Sequence, residues 1–130
     1  MHKQLFVLLL LASLGCAPSA GGPPLITTKG TVTWNGAPLE EGRILFRETA
    51  GDKRAYSALI EKGNFTIETT AGNMRVEITA SRLIPGKFDT SNITPEPMGE
   101  MYIPEKYNSL SELTHDVAKG APDPAFALTE

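Results

Sequence analysis

The chain has one cysteine in 130 residues, Cys16. A single thiol cannot close an internal disulfide, so the fold must stand on its apolar core. Histidine is nearly as scarce, with only His2 and His115. A zinc site needs three or four nitrogen, sulfur or oxygen ligands, and this supply is too small to expect one. Asp89, Glu96, Glu100 and Glu105 match no calcium-loop spacing, so no metal or cofactor is expected. The formal net charge is −3, and the 12 Lys and Arg residues are scattered. Without a basic stripe to follow a phosphate backbone, nucleic acid is not an expected partner. The main apolar stretch, Leu5 to Leu14, is too short to span a bilayer as a helix.

Glycine and proline are plentiful, at 12 and 10 residues. With many Thr, Val and Ile they favour strands and turns over helices. The N-terminus is different. Met1-His2-Lys3-Gln4 is short and positive, LFVLLLLASL follows, and small residues then arrive at Ser13, Gly15 and Cys16. This is the pattern of a secretory signal. A buried helix would need a polar face, which Leu5 to Leu14 lacks.

Ser13-Leu14-Gly15-Cys16 resembles a bacterial lipobox, in which the thiol receives a diacylglyceryl group and cleavage leaves the cysteine first. Gly15 is the small residue required before it, and Ser13 stands where Leu is usual. The resemblance implies a signal peptide over residues 1–15 and a lipidated Cys16. Two or more acyl chains hold a protein stably at a membrane. Residues 17–24, APSAGGPP, have no large apolar side chain and read as a tether. The expected location is the cell envelope, at the outer membrane or a periplasm-facing membrane surface. Ala17 lacks the Asp that retains some lipoproteins at the inner membrane.

From Leu25 the pattern has period two. Ile26, Thr28, Gly30, Val32 and Trp34 share a face, and Asn35-Gly36 is a tight-turn signal. Pro38 is expected to interrupt pairing. Ile44 and Phe46, then Tyr56, Ala58 and Ile60, then Phe65 and Ile67, give three more strands. Met74, Val76, Ile78 and Ala80 alternate with Arg75, Glu77 and Thr79 in a half-buried strand. Residues 83–110, with Pro85, Pro95, Pro97 and Pro104, read as a long loop. Leu113, His115 and Val117, then Phe126 and Leu128, complete seven short strands. The expected fold is all-β: a seven-stranded antiparallel sandwich over residues 25–130.

Gly30-Thr31-Val32 with Pro38-Leu39, Gly63-Asn64-Phe65 and Gly72-Asn73-Met74-Arg75-Val76 resemble the carboxypeptidase regulatory-like, transthyretin-like domain. The resemblance covers Lys29 to Arg82. Lys62 and Ala71 depart from the family's usual Asp and Pro, at positions outside the core. It implies an extracytoplasmic Greek-key sandwich and no catalysis, since this domain is an accessory in carboxypeptidases.

The residues themselves offer little chemistry. His115 and Asp116 are adjacent on a strand, so their side chains point to opposite faces and cannot form a dyad. Trp34 shares the inward face with Val32 and is expected in the core. Tyr102 and Tyr107 bracket Pro104 and are expected to pin the long loop, with their hydroxyls partnered at the rim. The candidate ligand or partner loop is Tyr102, Glu105 and Tyr107. The expected role is a membrane-anchored, non-catalytic structural or protein-interaction module whose partner is an envelope protein. A carbohydrate- or small-ligand-binding module is the alternative, and a hydrolase comes third. Exposure of Trp34, Tyr102 and Tyr107 would favour ligand binding, and full burial of all three would exclude it.

Overall fold

The structure, a computed structural model, describes Gly15 and residues 22–130. Cys16 and almost all of the proposed signal lie outside the described residues. Strands β1 (Ile26–Trp34), β3 (Glu41–Glu48), β4 (Ala55–Glu61), β5 (Asn64–Thr69) and β6 (Gly72–Thr79) carry the period-two segments of the sequence. Strands β9 (Thr114–Val117) and β10 (Ala125–Leu128) close the chain. These seven run in the order β10-β1-β5-β4-β3-β6-β9.

Three expectations are corrected. The sheet is not wholly antiparallel, because β1 and β10 pair in parallel over Thr31–Trp34 and Ala125–Leu128. The chain leaves β9 at one end of the curled sheet, crosses through 118–124 and enters beside β1 in the same direction. Pro38 does not interrupt pairing. Ala37–Pro38 forms β2 against Trp34 and Thr33, and the Leu39 N–H donates to the Val32 carbonyl at 3.0 Å. Pro38 thus sits where the ladder needs no donor from it. Asn35 and Gly36 take positive φ, 50° and 85°, as a two-residue hairpin turn of this hand requires. Finally, residues 83–110 are not all loop. Strands β7 (Ser81–Asp89) and β8 (Glu96–Met101) form a separate two-stranded ribbon. Its prolines sit at a register shift and near the ribbon's far end, where a two-stranded ladder tolerates them.

The body is one hydrogen-bonded sheet that behaves as two layers. β4 and β5 share only the residue pair Glu61–Asn64, so the halves on either side of this hairpin part and fold face to face. Ile44, Phe46, Met74, Val76 and Ile78 point inward from one half and are fully buried. Val32, Phe65, Ile67 and Leu128 meet them from the other. The Phe65 ring is the bridge. It lies edge-on to Phe46 at 6.1 Å between centroids and stacks on Phe126 at 6.3 Å. Such aromatic pairs add roughly 0.5–1.5 kcal/mol beyond their buried area.

Gly30 makes room for that bridge. A Cβ there would lie 2.5 Å from Phe65 Cζ and 2.6 Å from the Pro124 carbonyl oxygen. The first glycine of the sequence motif is therefore a packing requirement. Segment 102–113 is clasped onto β6 by polar side chains. The Arg75 guanidinium donates to the carbonyls of Ser111, Asn108 and Ser109 at 2.9, 3.2 and 2.9 Å. The buried Asn108 amide donates to the carbonyls of Ile78, Ile103 and Pro104. The Ser111 hydroxyl donates to the Val76 carbonyl.

Gly30→Ala is expected to destabilise the domain by about 1–3 kcal/mol, because β10 and the Phe65 ring must both shift. Urea unfolding followed through the single tryptophan checks this. Gly36→Ala, where a Cβ meets no atom within 4 Å, is expected to cost only the left-handed backbone strain, about 1 kcal/mol.

Candidate functional site

The body has two ends. At the Ile26 end, β1 begins beside the 49–54 loop and residues 70–73. At the Trp34 end, the β4–β5 hairpin, the start of β3 and the base of the ribbon meet. β1 is nine residues long, so the two ends lie about 30 Å apart.

At the Ile26 end the polar groups satisfy one another. Glu48 Oε1 accepts hydrogen bonds from the Thr70 hydroxyl at 2.7 Å and the Tyr56 hydroxyl at 3.4 Å. Arg54 pairs with Asp52 at 2.7 Å. The Thr70 hydroxyl, against slight burial and with help from the Arg54 N–H and charge, holds the Glu48 carboxyl below its ordinary value of 4.5. His115 is half-buried on β9, with its ring 6.0 Å from that of Phe46. Asp116 points away and accepts a hydrogen bond from the Asn73 amide at 2.8 Å. The two adjacent residues thus sit in different surroundings, as strand geometry requires.

The Trp34 end is built differently. Trp34 closes β1, and Tyr102 follows β8, so the folded chain brings together rings 68 positions apart in sequence. They meet edge-to-face at 5.8 Å. The Arg82 guanidinium lies 5.1 Å from the Tyr102 ring centroid and pairs with Glu100 at 2.9 Å. Trp34 and Tyr102 are both half-buried: each packs on the core and leaves part of its surface open. Trp34 is thus not the fully enclosed core residue its inward position suggests.

Below these rings runs an open groove of about 950 Å³, whose walls include Trp34, Tyr102, Arg82 and Leu83. Glu40, Glu41, Glu61 and Lys62 line its other side. Glu41 and Glu61 are directly paired across β3 and β4. Like charges in that position repel. Among the described residues, none of these three glutamates forms an ion pair.

The predicted loop residues separate. Tyr102 belongs to the groove. Tyr107 lies beside the C-terminal strand, where its hydroxyl oxygen accepts the Thr129 N–H at 3.0 Å and Lys106 lies 5.1 Å from its ring centroid. The Thr129 N–H, with the nearby Lys106 charge, lowers the Tyr107 hydroxyl below its ordinary value. Tyr107 is thus the pin expected of it. Glu105 is exposed in a short 3-10 turn, Glu105–Tyr107, and no side-chain cap holds that turn. Gly15 is exposed, and its neighbour Cys16 lies outside the described residues. Asp89 and Glu96 face each other across the ribbon. Among the described residues no group of three His, Cys, Asp or Glu side chains is placed to hold a metal ion.

Arg82 is the site residue that sequence reading passes over. It sits where the alternation of β6 ends, and nothing local marks its contact with Tyr102.

Glu48→Gln is expected to lower stability at neutral pH by removing the charge that Thr70 and Arg54 stabilise. A depressed carboxyl pKa contributes above its unfolded value and loses that contribution as pH falls through the folded one. The difference in Tm between parent and variant should therefore be present at about pH 7 and close at about pH 3. Thermal melts across that range check it.

Comparison with known proteins finds no matching family model, no matching curated protein and no matching solved structure.

Proposed function

We propose that the protein is a lipid-anchored component of the bacterial cell envelope, in which a non-catalytic, transthyretin-like β-domain presents its Trp34 end to a protein partner. The observation that carries the reading is Cys16 itself. The one thiol follows Gly15 directly, behind a positive start and an apolar stretch, and ahead of a Gly- and Pro-rich spacer with no large apolar side chain. A second observation gives it direction. The spacer enters the domain at the Ile26 end, while the aromatic groove is at the other. An anchor at Cys16 with so short a tether leaves the Trp34 end facing away from the membrane.

The pairing of repelling carboxylates beside open aromatic surface supports a binding role. Such an arrangement costs stability and is relieved by a ligand that brings positive charge. A glycan-binding module is the second reading, favoured by the half-exposed Trp34 and Tyr102 rings, which offer the flat apolar faces on which sugars stack.

The parent chain, made in a bacterial host supplied with labelled palmitate, is expected to take up label and to sediment with membranes. Cys16→Ser is expected to lose both. Processing and membrane retention of the variant like the parent would overturn the anchor.

A further inference from the structure

Of the eight large hydrophobic residues that are exposed among the described residues, five lie within the ribbon: Leu83, Phe88, Ile93, Met98 and Met101. Register explains the arrangement. Leu83 pairs with Gly99, Phe88 with Pro97 and Met101 with Ser81, so these three side chains share one face. Arg82, Glu100, Asp89 and Glu96 take the other, with Met98 between Glu96 and Glu100. Neither ribbon strand joins the ladder of the body. An amphipathic ribbon of this kind normally rests its apolar face on a core. Here that face is open, and it is continuous with the groove through Ser81, Arg82 and Leu83 at the base.

Charge identifies the occupant. The groove carries three carboxylates, Glu40, Glu41 and Glu61, and two cations, Lys62 and Arg82. Arg82 is already paired with Glu100 on the ribbon's other face. The groove is therefore acidic on balance, and a partner that brings positive charge complements it. The Tyr102 ring already carries one guanidinium, that of Arg82. Aromatic faces attract cations most where water is partly excluded.

We infer that the ribbon and groove form a single docking surface for an extended protein segment that is basic at one end and apolar at the other. Its basic side chains meet Glu40, Glu41 and Glu61 beside the Trp34 and Tyr102 rings. Its apolar side chains cover Leu83, Phe88 and Met101. A second copy docking through the same surface would set carboxylates against carboxylates, so charge opposes it as the occupant. This inference rests on the proposed interaction role but not on the anchor.

Trp34 is the chain's one tryptophan, so in the folded protein its fluorescence reports on this end of the domain. The full chain in detergent is titrated with a nine-residue peptide of four lysines followed by five valines, with its counterpart in which glutamate replaces lysine, and with chitohexaose. The lysine peptide is expected to change the Trp34 emission saturably, and the other two to leave it unchanged. Glu41→Gln with Glu61→Gln should weaken binding about tenfold, as expected for two partly exposed charge pairs. Leu83→Ser with Phe88→Ser should weaken it several-fold while circular dichroism stays that of the parent, since these residues pack on nothing in the body. Equal response to both peptides, no response to either, or binding unchanged in both double variants would overturn the inference. Response to chitohexaose alone would replace it with the glycan reading. Loss of palmitate labelling with peptide binding intact would instead remove only the anchor.

Discussion

The fold depends on one ring. Phe65 reaches from β5 to Phe46 across the core and to Phe126 on β10, and so ties together halves of a sheet that share a single residue pair at β4–β5. Its place exists because residue 30 has no side chain. Without this contact the parallel β1–β10 pair would have little apolar cover, and the last strand would lose the reason to sit beside the first. The positions of Trp34, which pairs with Leu128, and of Tyr107, which receives the Thr129 N–H, follow from that same closure.

The two ends of the body differ because their charges are managed differently. Around Glu48 the carboxylates find hydroxyls and a guanidinium, and the end is closed electrostatically. At the Trp34 end Glu41 and Glu61 face each other without a cation in contact, next to aromatic surface that the core covers only in part. That contrast separates an end whose charges are satisfied within the chain from one whose carboxylates are not. The ribbon extends the second surface with apolar area that contributes nothing to the domain's own core.

Much of this is written in short-range pattern. Period-two alternation places Ile44, Phe46, Met74, Val76 and Ile78 inward, because on a strand the side-chain face is fixed residue by residue. Asn35-Gly36 and Lys62-Gly63 place their turns through backbone conformations that few residues adopt. What escapes is what depends on partners distant in sequence. The parallel direction of β10 is set by where the 118–124 crossing lands, which no local signal encodes. The ribbon is hidden because its six-residue stretch from Leu83 to Phe88 faces only three residues of β8, Pro97 to Gly99, which breaks the alternation. Tyr102 is recognisable as a candidate beside Pro104, yet its pairing with Trp34 and Arg82 is a product of closure. Glu105 opens the 3-10 turn Glu105–Tyr107 and does not line the groove.

Phe65 locks the body, and the 81–101 ribbon stands apart from the body's ladder, in touch with it at the base where Arg82 lies over the Tyr102 ring. Amide hydrogen exchange of the full chain in detergent tests this arrangement most directly. Inward amides of β1, β3, β5 and β6 should exchange only with global opening, at rates that agree among themselves. Ribbon amides should exchange faster by orders of magnitude through local opening. Ribbon amides as protected as those of β6 would contradict the account, since that protection requires packing against the body.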